Sequence, residues 1–157
     1  MEKIANTNSE LIIHVTRILI LLSKFGSQKT IKISLDKIML LDFYMKYPNV
    51  MIEDENLKQN LSFYDYYSYY HWKPNREEYH VFLRLLTAKK LVSRNIIKSE
   101  FIYQITSDGT DVIESLNSSY YKKLDNVANY IKKNIARLSD TKIEEDIILK
   151  SFSCADN

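Results

Sequence analysis

The sequence predicts a mostly α-helical fold carrying one small β-hairpin, and three changes of hydrophobic period between Arg76 and Leu116 carry that prediction. From Arg76 to Lys90, Tyr79, Phe82, Leu83 and Leu86 recur at helical spacing, which puts them on one buried face. Leu91, Val92, Ile96 and Ile97, then Phe101, Ile102, Tyr103 and Ile105, are mostly β-branched or aromatic. They bracket Lys98-Ser99-Glu100 as two short antiparallel strands would. Thr106 can then cap another helix, with Asp108 and Asp111 near its first turn and Val112, Ile113 and Leu116 as its inner face. Helix, hairpin, helix is the core of a winged-helix domain, the hairpin being the wing.

At 157 residues the chain fits one domain, 1–157, with the winged-helix core about 29–118 and C-terminal helices over 119–152. A chain of this size buries roughly 70% of its unfolded surface, enough for a core without staples. The lone Cys154 falls in a polar tail, so no internal disulfide is expected. Nothing at the start reads as a secretory signal, and the cytoplasm is the expected compartment. Leu11 to Leu22 is apolar but is interrupted by His14, Thr16 and Arg17, and it is shorter than the ~20 residues a membrane span needs.

Asn8 or Ser9 can cap a first helix running to about Lys24 and closed by Gly26. Nine of the twelve residues from Leu11 to Leu22 are apolar and they go round the whole helical wheel. Either this is the central helix or one of its faces meets another chain. Ile31 and Ile33 alternate with Lys residues between Lys29 and Ile33, as in a short edge strand beside the wing. Ser34 caps a helix through Tyr47 whose stripe is Leu35, Ile38, Leu41 and Met45, with Asp36, Lys37 and Asp42 turned away; Pro48 ends it.

From Asn49 to Asn75 no clear periodicity survives, yet Phe63, Tyr64, Tyr66, Tyr67, Tyr69, Tyr70 and Trp72 crowd into ten positions. A stretch this long without pattern signals a functional loop or an unrecognised element. The rings either cover the apolar first helix or form a partner surface, the use to which Tyr and Trp are best suited. Tyrosines at nearly every position do not all point inwards, so Tyr66, Tyr67, Tyr69, Tyr70 and Trp72 are candidate partner-binding residues. No Lys or Arg is interleaved with them, which argues against base stacking. Beyond the core, Tyr120 to about Leu138 is an amphipathic helix with Tyr120, Leu124, Val127, Ile131 and Leu138 on one side. Thr141 and Glu144 have capping-box spacing ahead of a last short helix with a frayed end.

Charge by segment bears on DNA. Residues 1–46 carry +3, 47–78 carry −3, 79–106 carry +4 and 107–157 carry −2. Lys89, Lys90, Arg94 and Lys98 on the wing could therefore meet phosphates, although a few cations on a hairpin are also an ordinary solvated face. The helix before the wing argues against duplex reading. It begins Arg76-Glu77-Glu78, and its outward line shows Val81 and Leu85 instead of hydrogen-bonding side chains. Val81 and Leu85 suit a protein partner, unless the tyrosine-rich segment covers them.

Catalysis finds no motif. His14, His71 and His80 have no HExxH, clustered Cys or second-shell pattern around them, and neither a GxxxxGK loop nor a GxSxG elbow is present. Asp42, Asp108 and Asp111 read as helix-surface or first-turn carboxylates. The expectation is a non-enzymatic protein with no cofactor.

The strings ILILLSKFG, ISLDKIMLLDFYMKYP, LRLLTAKKLVSR and FIYQITSDGTDVIESL, in that order from Ile18 to Leu116, resemble the middle component of bacterial three-component ABC-type (ABC-3C) systems. That group includes the small third subunit of Lamassu antiphage defence. The most specific part is Ser34-Leu35-Asp36-Lys37 leading through Leu40-Leu41-Asp42-Phe43 to Tyr47-Pro48. The resemblance implies a bridging subunit in a complex with an SMC-like ATPase and an effector nuclease, acting against phage or plasmid DNA and touching DNA weakly or indirectly through the wing. It supplies no catalytic residues. The competing expectation is a winged-helix transcription regulator, dimeric through the helix from Tyr120 to Leu138.

Overall fold

The structure, a computed structural model, describes residues 2–26, 31–57 and 60–156. Two helices form its centre. Helix α1 (Glu2–Ser23) begins well before Asn8 and Ser9, which lie inside it and not at its cap. It ends in a turn in which Lys24 N donates to Leu21 O and Phe25 N to Leu22 O. Gly26 has no positive φ and so does not close the helix in the left-handed form; its carbonyl instead accepts from Gln104 Nε2 at 3.0 Å. Helix α2 (Leu35–Lys46) starts at Ser34, whose Oγ accepts from Lys37 N at 3.2 Å. Its stripe is buried as expected, but so are Asp42, Phe43 and Tyr44, because α2 packs against α1 and, on its other sides, against later helices.

Pro48 both stops α2 and occupies the first turn of a short helix, α3 (Pro48–Met51), where its fixed φ and missing N–H cost nothing. The irregular stretch that follows contains α4 (Phe63–Tyr66) and a 3₁₀ turn (Ser68–His71). Helix α5 (Arg76–Ala88) is capped by Asn75 and buries Tyr79, Phe82, Leu83 and Leu86. It stops at Lys90, which takes φ 61° while Leu91 N reaches back to Leu86 O. That is the left-handed helix end usually given to glycine.

Strands β1 (Val92–Ile97) and β2 (Glu100–Ile105) pair antiparallel from Val92↔Ile105 to Ile97↔Glu100. The turn is thus Lys98-Ser99 alone, both at positive φ, and Glu100 belongs to the strand. A two-residue hairpin turn with both central residues at positive φ matches the twist of the strands it joins. The expected edge strand at 29–33 is reduced to an isolated Ser34↔Ile102 bridge, with Tyr103 N donating to Ile33 O at 2.9 Å; Lys29 and Thr30 lie outside the described residues. Helix α6 (Ser107–Glu114) is capped by Thr106, whose Oγ1 accepts from Gly109 N. Ile113 faces inwards, but Val112 is exposed. A Cβ on Gly109 would lie 2.2 Å from Leu91 O, so glycine lets α6 sit flush against the root of the wing.

Helix α7 (Ser119–Asn134) is capped by Ser118 and ends before Leu138; Tyr120 and Leu138 are exposed, while Leu124, Val127, Ala128 and Ile131 are buried. The last helix is not short: α8 (Asp140–Asp156) starts after Ser139, whose Oγ accepts from Lys142 N, leaving Thr141 inside the helix. Cys154 is buried in it, so the tail is part of the body. The order α5, hairpin, α6 is compatible with a winged helix. No helix among the described residues is long and apolar enough to cross a membrane.

Candidate partner interface

Among the described residues, Ile12 and Ile13 of α1 stay exposed, so the aromatic segment leaves them uncovered. It packs on α8, α4 and the 3₁₀ turn both lying against that helix. Its base is polar and buried. Asp65 reaches back to Ser62 N at 2.7 Å and accepts from Asn49 Nδ2, while its carbonyl meets Cys154 Sγ at 3.4 Å. Ser68 is fully buried beside it. Trp72 packs partly into the core, and Tyr69 is half-buried with its ring 5.3 Å from Phe152.

With those groups anchored, the other rings point out. Phe63, Tyr64 and Tyr70 are 71%, 76% and 72% exposed, and Tyr66 and Tyr67 are also exposed. The rings run as a ladder: Tyr64 to Phe63 at 6.2 Å, Phe63 to Tyr67 at 4.9 Å, Tyr67 to Tyr70 at 6.3 Å and Tyr70 to Tyr69 at 5.7 Å. Beside Tyr64 a cleft of about 420 Å³ continues to Tyr120 on α7, with Lys46 and Lys123 on its walls. Spacing within the segment identified the rings; that Phe63 and Tyr64 are strongly exposed at the ladder's end, and that Tyr120 of α7 lines the same cleft as Tyr64, could not be assigned without the tertiary fold.

Val81 and Leu85 lie elsewhere, on α5. Val81 is exposed and Leu85 half-buried, so the aromatic segment does not cover Val81. The four wing cations are all exposed but do not form one patch. Lys89 and Lys90 sit at the root of the hairpin and Lys98 at its tip, a six-residue strand or roughly 20 Å away. Arg94 lies between, its guanidinium 4.6 Å above the Phe101 ring. Next to the charged tip, the strands expose the apolar residues Ile96, Ile97 and Phe101.

Asp42 is the clearest departure from the sequence reading: it is completely buried and not on the helix surface. Arg17 grips it with two bonds, Nε to Oδ1 at 2.6 Å and Nη2 to Oδ2 at 2.9 Å, and the Tyr79 hydroxyl donates to Oδ2. Arg17 Nη2 also lies 2.8 Å from His14 Nδ1, and the His14 ring stacks on Phe82 at 4.9 Å. Burial alone would push the Asp42 carboxyl up, but Arg17, joined by Lys46 and the Tyr79 hydroxyl, outweighs it and holds the pKa below the usual range. Burial and then Arg17 lower the pKa of His14, so the neutral ring accepts at Nδ1. Removing water from charges is costly, and a paired, fully hydrogen-bonded arrangement is what makes it tolerable. This knot joins α1, α2 and α5 and is structural.

The model of one protein family, described as ABC-three component (ABC-3C) system Middle Component 2, matches residues 6–154. No curated protein and no solved structure matches the sequence. With a family match spanning α1 to α8, the chain belongs to the ABC-3C Middle Component 2 family.

Proposed function

We propose that this chain is a non-catalytic bridging subunit, cytoplasmic, that joins the SMC-like ATPase of its system to an effector nuclease in defence against phage or plasmid DNA, as the resemblance to Lamassu implies. The observation that carries the reading is the ring ladder. Rings left in water on a rigid, hydrogen-bonded base give large contact area with little left to order on binding, the property of interface hot spots. Membership of a multi-component family supports the same reading. Against the transcription-regulator alternative stands the burial of Leu124, Val127 and Ile131 within this chain, which leaves only Tyr120 and Leu138 of the expected dimer stripe exposed.

Co-expression with the ATPase and effector components, followed by size exclusion, tests it. Replacing Phe63, Tyr67 and Tyr70 together by Ser should remove the chain from the complex, each ring being worth about 2 kcal/mol or more at a hot spot. An intact complex with the triple variant overturns the assignment.

A further inference from the structure

We propose that the groove between α5 and the wing is a docking site for an acidic, amphipathic segment of a partner protein. The inference rests on the bridging reading and adds a second contact of defined chemistry to it. The groove has a volume of about 390 Å³. Leu83 and Tyr103 form its floor, while His80 and Arg84 on α5 and Arg94 on β1 supply cationic or hydrogen-bonding walls. No carboxylate lines it, and among the described residues neither arginine is in an ion pair. Segment 79–106 carries five basic side chains against Glu100, and two of the five meet here. Arg94 is already aimed, held over the Phe101 ring and next to Tyr103, so little side-chain entropy remains to be lost when an anion arrives.

The rims are apolar. Ile96 follows Arg94 on the same face of β1, is 67% exposed, and stands opposite Phe101 in the hairpin register. On the other rim Val81, one helical turn from Arg84, is exposed. A basic trough between greasy lips complements a segment whose carboxylates are flanked by apolar side chains. A DNA duplex fits poorly, since the apolar lips offer phosphates nothing.

Short overlapping peptides covering the ATPase and effector components of the system, titrated against the full chain by fluorescence anisotropy, test the proposal. The tightest binders should carry carboxylates flanked by apolar residues and weaken as salt rises. Arg84→Glu and Arg94→Glu should each lower that affinity by about tenfold or more, whereas Arg84→Lys keeps most of it and the far-ultraviolet circular dichroism stays unchanged. Binding that is indifferent to both charge reversals overturns the proposal, as does the absence of any acidic binder. A DNA duplex that binds in place of the peptides and is lost with the same reversals assigns the groove to nucleic acid and overturns it too. If Arg84→Glu leaves the peptides bound and the ring-ladder variant alone breaks the complex, the groove proposal fails while the bridging reading stands.

Discussion

Two stretches of α1, one of Ile12 and Ile13 and the other from Ile18 to Leu22, are built from the same kinds of residue and end in opposite environments. From Ile18 to Leu22 every side chain is buried, surrounded by α2, α5, α6 and α7. One to two turns earlier Ile12 and Ile13 are 62% and 45% exposed, although they are as apolar as anything that follows. Between the two stretches stand His14 and Arg17, which form a polar knot with Asp42 and Tyr79. Hydrophobicity therefore states that a surface needs covering without saying what covers it. Ile18 to Leu22 is core, whereas Ile12 and Ile13 present an apolar patch to whatever lies outside this chain.

The knot should be the most sensitive point of that comparison. Asp42→Ala strands the Arg17 cation in the interior and should lower unfolding free energy by about 3–5 kcal/mol, read by urea denaturation. Next comes the buried stretch. Leu21 is fully buried, and Leu21→Ala should cost about 2–5 kcal/mol, nearer the lower value if neighbours collapse into the space. A smaller effect follows from pH. The folded pKa of His14 lies below its ordinary 6.5, so the unfolded chain takes up the proton first as pH falls through and below that value. Stability should be fully present above pH 6.5 and decline below it, and His14→Gln should flatten that slope in melts compared across pH. Smallest of all, Ile12→Ser with Ile13→Ser should change the stability of the isolated chain by only about 0.5 kcal/mol or less per site. The same pair weakening assembly with the other components would show that the exposed stretch is used; a large loss of stability in the isolated chain would show that the two stretches are not different.

Much of this fold was legible because local physics decided it. Ser34, Thr106 and the apolar spacing of α5 all act within a turn or two of themselves, and the helix–hairpin–helix order followed from them. What was missed needed a partner distant in sequence. Asp42 looked like a solvated carboxylate because its counterion, Arg17, is 25 positions upstream on another helix. The need for glycine at 109 has no local signal, since it comes from the carbonyl of Leu91 across the root of the wing. The start of α1, the full length of α8 and the two helical turns inside the tyrosine-rich stretch were likewise fixed by packing. At the candidate interface the sequence identified the aromatic residues, but not which would be anchored. That was decided by α8, some eighty to ninety residues further along the chain, which holds Tyr69 through Phe152 and Asp65 through Cys154.

That last contact gives the molecule a built-in reporter. Cys154 is the single thiol in the sequence; burial raises its pKa, and it is closed off beneath the segment that bears the exposed rings. Its rate of alkylation therefore measures how often that segment lifts from the last helix, and a partner clamping the rings from outside should slow the labelling without touching the sulfur.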